Sequence, residues 1–172
     1  RKTVVSESSL SFTVTANPSP RSAEQRAQIL EKPGFGVHFT DHMVAIRWQK
    51  DAGWHNAEVM PYGPIALDPA AAVLHYGQEI FEGMKAYRGE DGSVKLFRPE
   101  KNAQRFQLSA RRLAMPELPE DLFIKAVEEL VKADEAWVPA DGSLYLRPFL
   151  IATEGALGVR PSKEYMFVVI SC

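Results

Sequence analysis

An α+β fold, with a largely antiparallel sheet and flanking helices, is what this sequence predicts, and three observations predict it. Two strand-turn-strand stretches come first, two amphipathic helical stretches occupy the middle, and strand patterning returns at the end. The 172 residues are 45% hydrophobic and 10% aromatic, which suffices for one domain with a real core and is too little to assume two.

The elements follow in order. Residues 1–33 mix Ser, Pro, Thr and charge, with Asn17-Pro18-Ser19-Pro20 and Lys32-Pro33-Gly34 as breakers, and predict an extended arm carrying one helical turn at most. The domain proper spans 34–172. Met43 to Gln49 and His55 to Pro61 alternate as strands around Lys50-Asp51-Ala52-Gly53, a hairpin spacer. Met84 to Arg88, the turn Gly89-Glu90-Asp91-Gly92, and Ser93 to Phe97 make a second hairpin. Arg98-Pro99-Glu100 opens a helix, because proline at the first helical position lacks only an amide that has no partner there. Ala103, Phe106, Ala110 and Leu113 then share one stripe. After Pro116 and Pro119, Glu120 to Trp137 reads as a second amphipathic helix with Phe123, Val127, Leu130 and Val131 inward. Ser143 to Thr153 and Glu164 to Ile170 complete the sheet.

Charge and cysteine usage exclude several classes. Twenty basic against 22 acidic residues, with no block of like charge, leave no footprint for nucleic acid or an anionic membrane. The single cysteine, Cys172, forms no internal disulfide and points to a reducing, cytoplasmic interior. No apolar run approaches the roughly 20 residues a bilayer requires, and the first 30 positions are too polar for a signal peptide. A soluble protein is expected. Position 1 is arginine and the chain stops on an apolar run, so both ends read as trimmed.

Generic motif searches return no dinucleotide fingerprint, phosphate loop, nucleophile elbow or Cys-x-x-Cys pair. His38 and His42 are four apart, but Thr40-Asp41-His42 leads into a strand, where that spacing does not converge; a polar turn is expected, with no metal. On the strand Leu144 to Leu150, alternation sets Tyr145, Arg147 and Phe149 on one face and Leu144, Leu146, Pro148 and Leu150 on the other. Arg147 there is either an ion-pair partner or a carboxylate receptor, and the residues alone leave both open. Arg105 lies off the apolar stripe of its helix, where a solvated arginine is the ordinary case. Lys85 is the residue type that forms imines when buried, although a charged residue in an edge hairpin is ordinarily exposed.

Phe39-Thr40-Asp41-His42-Met43, Phe81-Glu82-Gly83-Met84-Lys85-Ala86-Tyr87, Leu96-Phe97-Arg98-Pro99 and Tyr145-Leu146-Arg147-Pro148 resemble, in order and separation, the motifs of branched-chain amino-acid aminotransferases. The match runs from about Gly34 to the end. It implies the fold-type-IV pyridoxal-phosphate architecture, in which this chain is the small N-terminal domain and the large cofactor domain is absent from it. The resemblance makes Arg105 the arginine that grips the cofactor phosphate. Phe35, Phe81 and Tyr145 become walls of the side-chain pocket, and Arg147 the acceptor of the distal carboxylate of glutamate or 2-oxoglutarate. Tyr76, Leu157 and Val159 match positions that reach the neighbouring subunit's pocket, which implies a homodimer.

The implied reaction of the intact protein is amino transfer from leucine, isoleucine or valine to 2-oxoglutarate by a ping-pong exchange on pyridoxal 5'-phosphate. In this family the lysine that carries the cofactor belongs to the second domain, so no catalytic residue is assigned here and Lys85 is not that lysine. The isolated chain is expected to bind cofactor weakly and to be inactive. Alternatives are another fold-type-IV enzyme, such as a D-amino-acid aminotransferase or an aminodeoxychorismate lyase, and a non-catalytic carboxylate-binding or dimerisation module. All of these expectations meet in one spatial expectation: Arg105, Arg147 and Phe81 gather around a single cavity.

Overall fold

The computed structural model describes residues 10–172, and positions 1–9 of the expected arm lie outside the described residues. Among the described residues, eight strands form one sheet: β1 (Thr13–Val14), β2 (His42–Gln49), β3 (Gly53–Pro61), β4 (Glu79–Phe81), β5 (Met84–Arg88), β6 (Val94–Leu96), β7 (Leu144–Ala152) and β8 (Glu164–Ser171). Their order is β1-β3-β2-β8-β7-β5-β6, with β4 also on β7. β1 runs parallel to β3 and every other ladder is antiparallel. The expected α+β class and both hairpins are therefore observed.

β7 organises the sheet. One side of it pairs with β8 along its length, while the other pairs with β5 at Leu144 to Leu146 and with β4 at Phe149 to Ile151. Pro148 falls between those two partners. Its carbonyl accepts the Glu82 N–H at 2.8 Å. In an antiparallel strand the amide and carbonyl of a residue face the same neighbour. The donor that proline lacks is thus missing where β4 has ended and β5 has not begun, which is how a central strand accommodates it.

Helices α3 (Pro99–Arg112) and α4 (Glu120–Ala133) cover one face of the sheet. Phe106, Phe123 and Phe167 sit with ring centroids 5.4 to 5.8 Å apart at the centre of that core, packed among Val44, Ile46, Leu130, Leu146 and Leu150. Each such side chain contributes roughly 1.5–3 kcal/mol on burial. The opposite face carries a smaller cluster, Ala45, Ile151, Met166 and Val168, with Phe149 and Ile170 against it. No helix among the described residues is long and apolar enough to cross a membrane.

Four details differ from the sequence reading. The arm contains a nine-residue helix, α1 (Ala23–Glu31), started by a reciprocal capping box between Ser22 and Gln25. A short helix, α2 (Ala72–Tyr76), precedes β4. Leu113 caps α3 and is exposed, so the buried stripe ends at Ala110. Finally, α4 stops at Ala133 and Glu135–Trp137 tightens into a 3₁₀ turn. The cause is Asp134, whose carboxylate is turned inward to accept the His42 N–H at 3.0 Å and to meet His42 Nδ1 at 2.7 Å.

That same region fastens the arm. The Asn17 N–H donates to His42 Nε2 at 2.9 Å, the Arg21 N–H donates to Asp41 Oδ1 at 3.0 Å, and Trp137 Nε1 donates to Asp41 Oδ2 at 2.8 Å. His42 is thereby a structural hub, with both ring nitrogens engaged. Among the described residues, no group of three or more His, Cys, Asp or Glu side chains is placed to hold a metal.

Candidate functional site

The face of the sheet that α3 and α4 leave uncovered carries the predicted residues of β7. Tyr145 and Arg147 alternate outward while Leu144, Leu146, Pro148 and Leu150 are buried behind them. β4 ends at Phe81, opposite Phe149, so the Phe81 ring stands beside Arg147. The Arg147 guanidinium lies 4.5 Å from the Phe81 centroid and 5.5 Å from the Tyr145 centroid. It also donates to the Tyr145 hydroxyl, from Nη2 at 2.9 Å and Nε at 3.3 Å. Phe35 closes the group edge-on to Tyr145 at 5.1 Å.

Among the described ion pairs Arg147 has no carboxylate partner, and its contacts are rings and a hydroxyl. A guanidinium held that way retains donors for an incoming carboxylate, because stacking on rings engages none of its in-plane N–H groups and the Tyr145 hydroxyl takes only one from Nε and one from Nη2. Of the two readings left open by the sequence, the ion-pair one finds no partner among the described residues. Phe35 and Tyr145 also line a cleft of about 250 Å³ together with His38, Lys85, Leu144 and Cys172. Lys85 is an exposed residue of β5, opposite Tyr145, and is not a buried amine.

Gly83 lets the tyrosine lie where it does. A Cβ at this position would stand 2.5 Å from the Tyr145 hydroxyl, closer than any real side-chain carbon tolerates. The motif's glycine thus accommodates the close approach of a neighbouring ring, which a Cβ would force to shift.

Arg105 reaches the cluster through Glu82. Its Nε and Nη2 donate to the two Glu82 carboxylate oxygens at 2.6 and 2.7 Å. Asn102, one helical turn earlier on α3, donates to Glu82 Oε2 at 2.9 Å and to the Gly83 carbonyl at 3.2 Å. Burial of Glu82 opposes its ionisation, but the hydrogen bonds from Arg105 and Asn102 outweigh it and hold the carboxyl below the ordinary range. The guanidinium itself stays exposed, and it borders a depression with Ile80, Leu108, Ser109, Arg112 and Leu113. The single cavity expected around Arg105, Arg147 and Phe81 is therefore not what the described residues form: Phe81 and Glu82 point to opposite sides of the chain, so Arg147 meets the Phe81 ring on one surface and Arg105 meets the Glu82 carboxylate on another.

Tyr76, Leu157 and Val159 form a separate group. The Gly158 N–H donates to the Tyr76 hydroxyl at 2.7 Å, and Glu154 and Arg160 clasp the base of that loop through two hydrogen bonds of 2.8 and 3.0 Å. Val159, at its tip, is 90% exposed. The loop exposes the apolar side chains of Leu157 and Val159.

Sequence reasoning did not single out Glu82, Gly83 or Asn102 individually. Asn102 and Arg105, three apart on one helix face, are the local signal that a shared partner awaits them.

A sheet with helices on one face and an arginine, tyrosine and phenylalanine cluster on the other has the architecture of the small domain of fold-type-IV pyridoxal-phosphate enzymes. Solved structures of that fold superpose on it. A branched-chain aminotransferase from Escherichia coli, 20% identical, matches 74% of this chain and 39% of its own with a TM-score of 0.57, which is a likeness of fold. The T.th. branched-chain aminotransferase, solved with N-(5'-phosphopyridoxyl)-L-glutamate, is 29% identical over 73% of this chain and 40% of its own, with a TM-score of 0.53. Among curated proteins, the branched-chain-amino-acid aminotransferase of Mycolicibacterium smegmatis is 62% identical over 165 residues, 94% of this chain and 45% of that protein. Branched-chain-amino-acid transaminase 1 of Bacillus subtilis is 46% identical over 154 residues, 86% of this chain and 43% of that protein. No protein-family model matches the chain. Over most of its length the chain is similar to branched-chain-amino-acid aminotransferases, and it spans a little under half the length of the curated relatives it matches.

Proposed function

We propose that the intact protein transfers the amino group of leucine, isoleucine or valine to 2-oxoglutarate with pyridoxal 5'-phosphate, by a ping-pong exchange in the cytoplasm, and that this chain supplies substrate recognition and phosphate binding. The observation that carries the reading is the Arg147 guanidinium, held 4.5 Å over the Phe81 ring and hydrogen-bonded to Tyr145 without a carboxylate partner of its own among the described ion pairs. One pocket has to admit a branched aliphatic chain in one half-reaction and a carboxylate in the other. Phe35, Phe81 and Tyr145 supply an apolar wall for the first. Arg147, at the edge of that wall, supplies the fork for the second.

The residues present fit the cofactor. Arg105 is exposed, and only two of its donors are spent on Glu82, which leaves an oxyanion-matching edge for a phosphate. When bound, the cofactor carries the amino group between the half-reactions and serves as the electron sink for the chemistry at the amino-acid carbon. Arg105 holds the phosphate end, Arg147 orients the substrate by its distal carboxylate, and the aromatic wall keeps water from the aliphatic chain. In a homodimer, the exposed loop with Leu157 and Val159, together with Tyr76, completes the neighbouring subunit's pocket. No residue of this chain is assigned the proton transfer, and the isolated chain is inactive.

The test is an amino-donor and acceptor panel on the intact enzyme and on Arg147→Met. A charge-assisted hydrogen bond to a carboxylate contributes about 1.5–3 kcal/mol, or roughly tenfold to a hundredfold. The KM for 2-oxoglutarate should rise by that factor while the KM for leucine changes less than about threefold on the same argument. Equal losses in both half-reactions, or wild-type activity on D-amino acids in preference to leucine, would overturn the proposal.

A further inference from the structure

We propose that Glu82 is a positioning residue for Arg105: a buried carboxylate that fixes one edge of the guanidinium so that the other edge is aimed at the cofactor phosphate. The inference rests on the reading of Arg105 as the phosphate-binding arginine and adds what aims it.

An exposed helical arginine ordinarily samples many rotamers, and the entropy lost when a ligand freezes it reduces affinity. Here that freedom is removed in advance. The Arg105 side chain is 66% exposed, yet the Glu82 side chain beneath it is only 3% exposed. Nε and Nη2 take the two carboxylate oxygens side-on, at 2.6 and 2.7 Å. That geometry consumes two of five donors and leaves the Nη1 and Nη2 edge, the one that matches a phosphate, pointing outward.

Glu82 is in turn immobilised. Its backbone N–H is bound to the Pro148 carbonyl at 2.8 Å, and Asn102 donates to its Oε2 at 2.9 Å. Asn102 and Arg105 lie one turn apart on α3, so the helix holds both the arginine and the residue that steadies its partner. The unpaired carboxylate would be costly at this burial, which ties Arg105 to the site even without a ligand. The arrangement reduces net positive charge near the phosphate and gains direction instead, as outer partners do for the groups that contact a ligand.

The experiment compares pyridoxal 5'-phosphate with pyridoxal, which lacks the phosphate, in equilibrium titrations of the intact apoenzyme and of Glu82→Gln, Asn102→Ala and Arg105→Ala. Glutamine keeps one acceptor oxygen and faces the guanidinium with a donor at the other. Glu82→Gln should weaken binding of the phosphorylated form roughly tenfold, in line with outer-partner effects, and leave the Kd for pyridoxal unchanged. Asn102→Ala should move the same ratio in the same direction by less, and it keeps the question answerable if Glu82→Gln does not fold. If Arg105→Ala leaves the ratio of the two dissociation constants intact, the phosphate reading of Arg105 falls. If Arg105→Ala collapses the ratio while folded Glu82→Gln or Asn102→Ala retains it, the positioning role of Glu82 falls alone. Tighter binding of the phosphorylated form by Glu82→Gln would mean that the carboxylate competes with phosphate, and it too overturns the inference.

Discussion

Replacing Gly83 with alanine drives a methyl group into the tyrosine that carries the Arg147 guanidinium. The added Cβ would lie 2.5 Å from the Tyr145 hydroxyl and 3.2 Å from Cζ, against an ordinary contact near 3.4 Å, so about 0.9 Å of overlap must be relieved. The backbone is poorly placed to yield, because Glu82 is bound to Pro148 and the Gly83 carbonyl accepts from Asn102. Tyr145 is the part that moves. Overpacking costs about 1–3 kcal/mol, and a half-buried ring that can swing outward belongs at the low end. The functional loss is larger, since the hydroxyl that moves is the one that orients Arg147. A carboxylate fork misplaced by a large fraction of an ångström should lose roughly tenfold to a hundredfold in kcat/KM for 2-oxoglutarate. A double-mutant cycle in the intact enzyme isolates the cause. Tyr145→Phe removes the clashing oxygen and leaves Cζ as the nearest obstacle, so Gly83→Ala should cost at least about 1 kcal/mol less in that background. Identical costs of Gly83→Ala with and without the hydroxyl would refute this account of the glycine.

Two further outcomes follow from the ion pairs. Hydrogen bonds from Arg160 hold the Glu154 carboxyl down at about 2, well below its ordinary 4.5. A depressed folded value stabilises the protein at neutral pH, and that contribution fades as pH falls from about 4.5 toward 2. Glu154 is partly open to water, so solvent screening limits its contribution to about 1 kcal/mol or less. Glu154→Gln should lower Tm by about 2 °C at pH 7, with the gap narrowing below about pH 4.5 and closing only toward pH 2; a gap that widens in acid contradicts the assignment. His42→Ala removes a ring that accepts from Asn17 and meets Asp134, leaving a carboxylate that is 2% exposed with fewer partners. A loss of about 2–3 kcal/mol is expected, with faster proteolysis between residues 15 and 33. Unchanged cleavage of the arm would show that His42 does not fasten it.

The hairpins, α3 and both long strands were legible in the sequence because local physics determines them: turn residues at fixed spacing, alternation, and proline at the start of a helix. The capping box of α1 was also there to be read, as Ser22-Ala23-Glu24-Gln25. The sequence reading did not use it, and no second signal accompanies it, because the helix buries no side chain and therefore has no apolar stripe. The end of α4 was not legible. What stops the helix at Asp134 is a histidine 92 positions earlier in the chain, and no local pattern announces such a partner.

The site shows the same division, and one structural cause lies behind it. Alternation alone put Tyr145 and Arg147 on a common face, since that needs only the period of a strand. Which rings would meet the guanidinium depended on register: Phe81 reaches Arg147 because it pairs with Phe149. Register in turn depends on the interruption beside Pro148. β4 ends at Phe81 and β5 begins at Met84, so Glu82 and Gly83 form the step between them. Successive residues of an extended chain point to opposite sides. Phe81 therefore goes to the open face, where it is 60% exposed and stacks on Arg147, while Glu82 goes to the helix side, where it is 4% exposed and takes Arg105. A sequence shows two arginines and a phenylalanine at separations of 24 and 42 positions or so and invites placing all three around one hollow. The backbone step instead separates them, with the Arg147 guanidinium on the open side of the sheet and the Arg105 guanidinium on the helix side. A rigid dipeptide joins them, so a disturbance at Gly83 is felt at both.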